Sequence, residues 1–230
     1  MKSHVMKSQP VKCQAMKSQP VKSIAIVQSN YIPWRGYFDL IRAVDEFVIL
    51  DSVQFTKNDW RNRNRIAGRG GPQWLTIPIR TAGRYGQRIA EAEVADPHWA
   101  RRHWRSIEQN YSRAPRFPAR AGALEETYRQ AAREPRLSRI NRLFLECACC
   151  WLGISTRITS AEIYPDYSDR IERLIGICRA AGAERYVSGP RAKAYLDAAR
   201  FAAAGIAVEF FDYGNIREPR LSIVDEVLTS

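Results

Sequence analysis

The residue best suited to acid–base chemistry follows an apolar run near the start of the chain. Asp51 comes directly after Phe47-Val48-Ile49-Leu50. Burial at such a position raises the pKa of a carboxyl group, which would make Asp51 a candidate general base. An aspartate that caps a loop is the simpler interpretation, and the residue alone does not decide between the two.

A polar and aromatic loop, residues 28–34, follows an earlier apolar run at 24–27. Its amides could hydrogen-bond to a substrate, and its rings could stack on a base or a sugar. The rings could equally belong to the core. As candidate substrate contacts this loop contributes Gln28, Asn30, Tyr31 and Trp34.

Two further stretches supply candidate binding residues. A dense polar run at 56–65 interleaves asparagine with arginine, a combination that suits phosphate, carboxylate or sugar hydroxyls, although solvated loops also look like this. A Ser-Gly-Pro turn at 188–190 opens a predicted helix and is a plausible anion contact. The candidates from these stretches, with the glutamine before the first, are Gln54, Lys57, Arg61, Arg63, Asn64, Ser188 and Gly189.

The elements that position these residues alternate between strands and helices. Apolar runs predict strands at 24–27, 47–50, 73–79, 89–94, 155–159, 185–188 and 206–210. Apolar periodicity predicts helices at 36–44, 97–111, 117–133, 137–153, 168–182 and 191–204. This order predicts an α/β, Rossmann-like fold with a mainly parallel sheet and a helical insertion at about 97–153. The loops after the first two strands would then meet at the sheet edge where such folds bind ligands.

Several kinds of chemistry find little support in the sequence. Only His98 and His103 lie outside the N-terminal stretch, both on one predicted helix, and no G-x-S-x-G motif occurs, which argues against Ser-His-Asp hydrolysis. Cys147, Cys149 and Cys150 lie in an apolar helical stretch, which favours buried thiols in a reducing cytoplasm over a metal site. No apolar run approaches the roughly 20 residues that span a bilayer. We therefore expect a cytoplasmic protein without a bound metal.

The chain is basic, with a net charge of +12. Residues 1–23 contain five lysines and no acid, and the heptapeptide MKSQPVK occurs there twice. We expect this stretch to be disordered; either it is a basic arm for an anionic partner, or translation begins at Met16. The arginines of residues 24–230 suit a nucleotide, a nucleotide-sugar or RNA equally well.

Several segments resemble a known family when read in order: VQSNYIPWRGYFDLI, DEFVILDSVQF, WRNRNRI, PQWLTIPI and the late YVSGP. They are similar to the WbqC-like family over about residues 24–230. That family is associated with bacterial surface polysaccharide and O-antigen gene clusters, so the resemblance implies a role near amino-sugar or glycan modification. Val27 stands where members often have histidine, so a mechanism that needs an imidazole there is not open to this chain. The strand–loop–helix order also resembles the HIGH-type nucleotide-binding superfamily, but without its histidines.

Two functions of different classes remain. The first is a transferase that N-acylates or aminoacylates an amino-sugar or related amine, with Asp51 as the base and an activated donor that is ATP-derived, a coenzyme A thioester or a charged tRNA. The second is a non-catalytic nucleotide- or RNA-binding protein. Under either function we expect a small anionic or sugar-containing ligand, and tRNA is a further candidate partner.

Overall fold

Seven strands and seven α-helices make up the part of the chain that the computed structural model describes, residues 21–214 and 218–230. The strands are β1 (Ser23–Val27), β2 (Glu46–Ile49), β3 (Arg63–Ile66), β4 (Gln73–Thr76), β5 (Arg157–Ser160), β6 (Arg185–Ser188) and β7 (Ala207–Phe210). The helices are α1 (Arg35–Arg42), α2 (Trp99–Tyr111), α3 (Phe117–Ala131), α4 (Leu137–Leu152), α5 (Arg170–Ala180), α6 (Ala198–Ala203) and α7 (Ile223–Thr229).

Five of the strands form one parallel sheet in the order β5-β2-β1-β6-β7. β1 is central, with Ile24 opposite Glu46 of β2 on one side and opposite Tyr186 of β6 on the other. The chain places β2 and β5 on one side of β1, and then returns to place β6 and β7 on the other side. This arrangement confirms the predicted Rossmann-like α/β fold, and it places a topological switch point between β1 and β6.

Both faces of the sheet are covered, because side chains alternate along each strand. Ala25, Phe47 and Ile49 face one core, which also contains residues of α1, α2, α3, α4 and α7. Ile24 and Val48 face the other, which contains residues of α5 and α6. The helical insertion is therefore part of the layer on the first face, and it contributes core residues such as Ile107, Tyr128 and Phe144. α4 ends at Gly153, which has a left-handed backbone (φ 63°) that favours glycine.

Strands β3 and β4 form a separate antiparallel hairpin, with Arg65 opposite Trp74. The sequence suggested a hairpin turn here, but it assigned 56–65 to a polar loop. The reason is that Asn64 occupies an inward position of β3 where an apolar residue is usual, and it is 1% exposed. The alternation of inward and outward side chains along β3 therefore cannot be recognised within this run of polar residues.

Two other predicted elements differ from the structure, and one helix was missed. Residues 89–94 are not a strand: Ile89–Glu91 is a single 3₁₀ turn, stabilised by a hydrogen bond from the Arg88 N–H to Glu91. The helix predicted at 191–204 is divided into a 3₁₀ turn (Pro190–Ala194) and α6, because Asp197 caps the N-terminus of α6. Helix α7 was not predicted, although the buried Ile223, Val224, Val227 and Leu228 follow helical spacing.

The prediction of a disordered basic tail concerns mainly residues 1–20, which lie outside the described residues. Ser23 belongs to β1, and the Lys22 ammonium lies 2.8 Å from a carboxylate oxygen of the buried Glu46. In the described ranges, no helix is both long enough and apolar enough to cross a membrane.

Candidate functional site

The loop after β1 lies at the switch point and is stabilised from three directions. The Tyr31 N–H donates to the Trp60 carbonyl (3.0 Å), and the Tyr37 hydroxyl donates to the Gln28 carbonyl (3.0 Å). The buried Ser29 hydroxyl accepts from the Asn141 amide on α4 (2.9 Å). The loop is therefore fixed to α1, to the residues before β3 and to the helical insertion.

Three of the predicted binding residues meet on the outer side of this loop. The Arg61 guanidinium donates to the side-chain oxygens of both Gln28 and Asn30. Asp59 lies 3.8 Å from the same guanidinium. All three predicted residues are partly exposed, and the Arg61 guanidinium, which is also paired with Asp59, fixes the orientation of the two amide groups.

Asp51 lies beneath the loop, at the end of β2. One carboxylate oxygen accepts from the Ser29 N–H (2.9 Å), whereas the other is buried and has no hydrogen-bond partner among the described residues. Burial raises the pKa of Asp51, and the Ser29 hydrogen bonds oppose that rise only in part. The geometry thus gives Asp51 the raised basicity expected of a general base, together with a structural contact to the loop.

A cleft of about 660 Å³ opens at the carboxyl ends of β1 and β6, and we call it the switch-point cleft. It is lined by five residues singled out from the sequence: Gln28, Trp34, Gln54, Ser188 and Gly189. Its wall also includes Arg170, Arg191, Tyr195 and Tyr213. The Arg170 guanidinium lies 3.6 Å from the centre of the Tyr195 ring, a cation–π contact at the cleft wall.

A second cleft, of about 340 Å³, adjoins the first and is named here the tryptophan cleft. Its wall includes Asn30, Trp34, Trp60, Asn64, Gly189, Arg191, Tyr213 and Arg220. The Trp34 ring packs against Tyr213, with 5.0 Å between ring centres, and the Arg220 guanidinium lies 5.1 Å from the Trp34 ring.

A third cleft, of about 490 Å³, lies on the opposite side of the segment after β2, and we call it the arginine cleft. Asp51 and Ser52 line it, whereas Val53 and Gln54 line the switch-point cleft. Four arginines and two glutamates also line the arginine cleft: Arg88, Arg136, Arg139, Arg142, Glu91 and Glu162. The structure therefore places Asp51 on a different side of this segment from most of the other predicted residues.

Two predicted binding residues have their polar groups occupied within the fold. Tyr31 is fully buried, and its hydroxyl bonds to His103 Nδ1 (2.9 Å) and to the Tyr128 hydroxyl (2.6 Å). The Asn64 amide donates to the carbonyls of Tyr31 (3.2 Å) and Ile32 (2.9 Å), and its oxygen accepts from the Arg65 N–H (2.8 Å). Both residues shape the loop from inside, where Ile32 has a left-handed φ of 36°.

The remaining two predicted residues lie apart from the switch-point cleft. Lys57 is exposed in the loop before β3. The Arg63 guanidinium lies 4.3 Å from the centre of the Trp74 ring, on the outer face of the β3–β4 hairpin.

Arg191, Arg170, Tyr195 and Tyr213 are cleft residues that the sequence did not single out. A signal existed for Arg191, which follows the Ser-Gly-Pro turn already assigned to the sheet edge. Tyr195 ends the 3₁₀ turn that follows β6, whereas Arg170 and Tyr213 come from elements that only the tertiary structure brings to β6. Burial raises the pKa of the Cys149 thiol to about 11, which does not favour a reactive thiolate. Within the described chain, no group of three or more His, Cys, Asp or Glu residues is arranged to hold a metal ion.

A parallel sheet whose order reverses beside a polar, cationic cleft defines an α/β protein of the Rossmann-like class. The chain belongs to the WbqC-like protein family, whose model matches residues 28–229. It is 46% identical over 211 residues to a Mycobacterium tuberculosis (strain ATCC 25618 / H37Rv) protein named "Uncharacterized protein Rv1507c". That alignment covers 88% of this chain and 91% of the relative. No solved structure matches the chain significantly.

Proposed function

We propose that this protein is a transferase that N-acylates or aminoacylates an amine, carried by an amino-sugar or a related metabolite, from an activated donor. One observation carries the proposal. The segment after β2 separates two clefts of substrate size, both lined with arginine, and it bears a buried carboxylate of raised pKa at Asp51. Two clefts on either side of one segment offer places for the two reactants of a transfer reaction, and arginine suits the phosphates of an activated donor.

In this proposal the amine nitrogen attacks the acyl carbon of the donor. The new N–C bond forms as the C–S bond of a coenzyme A thioester, or the C–O bond of an adenylate or aminoacyl-tRNA, breaks. The Asp51 carboxylate, which lines the arginine cleft, accepts the proton that the amine loses, and the raised pKa makes it a stronger base than an ordinary aspartate. Gln28 and Asn30 bind the substrate, and Arg61 holds their side chains in place by donating to both amide oxygens. The association of the family with surface polysaccharide gene clusters favours a cytoplasmic step of glycan or specialised metabolite synthesis.

The test is an acyl-transfer assay followed by mass spectrometry. The full chain is incubated with glucosamine or a nucleotide-linked amino-sugar and with acetyl coenzyme A, ATP plus amino acid, or charged tRNA in turn. Asp51→Asn keeps an oxygen for the Ser29 N–H but loses the base, so turnover should fall at least a hundredfold with little change in substrate affinity. Glu209→Gln, a neutralised exposed carboxylate on β7, is the matched control. Wild-type turnover of the Asp51→Asn variant would remove Asp51 from the mechanism.

A second candidate function, RNA binding without catalysis, is favoured by the outer face of the hairpin. Trp60 and Trp74 are 38% and 44% exposed, and their ring centres are 5.6 Å apart. The guanidinium groups of Arg63 and Arg65 lie over the Trp74 ring at 4.3 and 5.6 Å. Exposed rings flanked by arginines are how proteins stack unpaired bases.

A fluorescence-anisotropy titration with a single-stranded RNA oligonucleotide tests this second candidate. RNA binding predicts an affinity that falls steeply with salt, since neutralised phosphates release counterions. It also predicts a loss of about tenfold or more on Trp74→Ala, from one lost stacking partner. Exposed Tyr85→Ala serves as the control. A salt-independent affinity, or equal binding by both variants, would dismiss this function.

A further inference from the structure

The switch-point cleft and the tryptophan cleft share one wall. Trp34, Gly189, Arg191 and Tyr213 line both of them. A ligand with two parts could therefore occupy both clefts at once, with its middle part against this wall. The residues that both clefts share therefore indicate which chemical group the middle part of the ligand carries.

Arg191 gives the shared wall an available positive charge. Its side chain is exposed, and in residues 21–214 and 218–230 it makes no ion pair or hydrogen bond. Two other cleft arginines are paired, since Arg173 lies 2.9 Å from Asp166 and Arg220 lies 2.9 Å from Glu218, and Arg170 stacks on the Tyr195 ring. A guanidinium presents a planar fork of donors that matches phosphate oxygens, so the middle part of the ligand should be a phosphate or diphosphate.

Gly189 lets the backbone approach a ligand at the same point. A Cβ added to this residue would lie 3.1 Å from the Tyr213 hydroxyl, so any side chain there would press on the wall. The absence of a side chain leaves the backbone after β6 accessible beside Arg191. Glycine commonly occupies positions where the backbone must come close to a ligand.

The two clefts differ in what their outer parts can recognise. Beyond Arg191, the larger cleft has the Tyr195 ring, which is 45% exposed and has Arg170 over it, and this suits a flat heterocycle. The smaller cleft has the Trp34 and Trp60 rings beside the Asn30 amide. Aromatic faces pack on the C–H groups of a sugar, and an amide hydrogen-bonds its hydroxyls.

We infer that the two clefts together bind one nucleoside diphosphate-linked sugar. The nucleoside occupies the switch-point cleft, the diphosphate lies against Arg191 and Gly189, and the sugar occupies the tryptophan cleft. This inference rests on the proposed function, because it names the form in which the amine-bearing sugar would be presented.

Calorimetric titration of the full chain tests this assignment. The probes are ADP, UDP, GDP and dTDP, and then the glucose conjugate of whichever diphosphate binds. We expect the conjugate to bind at least several-fold more tightly than its diphosphate. Arg191→Ala should weaken both by about tenfold or more, the loss expected for hydrogen bonds to a charged group. Trp60→Ala should weaken the conjugate alone.

Lys193→Ala provides the matched control. Lys193 is an exposed cation in the same 3₁₀ turn, two residues from Arg191, and it lines neither of the two clefts. Its removal should leave both affinities unchanged. The assignment is overturned if no nucleoside diphosphate binds below millimolar concentration, or if Arg191→Ala and Lys193→Ala have equal effects. It is also overturned if Trp60→Ala leaves the conjugate's affinity unchanged.

The outcomes of this test and of the transfer assay are separable. Binding of a nucleotide-sugar with the expected variant pattern, but no acyl transfer with any donor, would refute the transferase and retain the assignment of the clefts. Acyl transfer to free glucosamine by a protein that binds no nucleoside diphosphate would retain the transferase and refute the assignment.

Discussion

Replacing Asn64 by alanine should destabilise the protein without any ligand present. The substitution removes three hydrogen bonds, two to carbonyls of the loop after β1 and one from the Arg65 N–H, at a site that is 1% exposed. Each buried hydrogen bond contributes about 0.5–1.5 kcal/mol, and buried carbonyls left unpaired add to the loss, so the cost should be about 2–4 kcal/mol. The hydrogen bond from Asn64 to the Ile32 carbonyl also helps to hold Ile32 in its left-handed backbone conformation, which is unfavourable for a β-branched residue.

The assay is thermal or urea-induced unfolding of the variant and the wild type. For a protein of this size the expected loss lowers the melting temperature by roughly 5–15 °C. Asn110→Ala is the matched control, because Asn110 lies on the partly exposed surface of α2, where water can replace its hydrogen bonds; its effect should stay within about 0.5 kcal/mol. If Asn64→Ala melts like the wild type but binds ligand poorly, Asn64 is a substrate contact, and our structural interpretation fails.

Three further predictions concern pH, backbone conformation and the shared wall. Burial lowers the pKa of His103 to about 4, so on acidification the unfolded chain takes up the proton before the folded protein does. The free energy of unfolding, measured with urea, should therefore fall by about 2 kcal/mol between pH 7 and pH 5. His103→Gln should remove that part of the pH dependence. Gly153→Ala should destabilise the protein by about 1–2 kcal/mol, because the backbone at Gly153 is left-handed. Gly122→Ala should stabilise it by up to about 1 kcal/mol, because Gly122 lies within α3 with open space around it. Equal melting temperatures for the two variants would contradict this prediction. Gly36→Ala would place a Cβ 2.2 Å from the Trp34 ring, so the ring must move out of the wall that the two clefts share. Calorimetry should then show at least a tenfold loss in affinity for the nucleoside diphosphate.

The parallel sheet could be predicted because each strand has a local signature. Apolar runs at β1 and β2, and the Gly-marked end of α4, are read from neighbouring residues alone. Strand β3 could not be found this way, since its buried Asn64 is stabilised by carbonyls more than thirty residues earlier in the chain. A polar residue in the interior is predictable only when its distant partners are known.

Part of the site could also be predicted from local sequence patterns. Residues at strand ends, such as Gln28, Gln54 and Ser188, follow from the rule that parallel strands share one ligand-binding edge. The rule does not tell which side of the segment after β2 each side chain faces, and it placed Asp51 with the others. It also does not separate a ring in a cleft wall, such as Trp34, from one in the core, such as Tyr31, because both are aromatic residues of one loop.

Residues 222–228 have a consequence for the order in which the site can form during synthesis. The Ser222 N–H donates to the Arg65 carbonyl (2.7 Å), and the Ile223 N–H donates to the Pro33 carbonyl (2.8 Å). Helix α7 then packs four apolar side chains into the core that also holds α1. The ribosome makes the loop after β1 long before these partners, so the nascent chain must carry an unfinished site until residues 222–228 have emerged. Contacts between segments far apart in the sequence also slow folding. Removing residues 222–230 should therefore leave a sheet without a formed site.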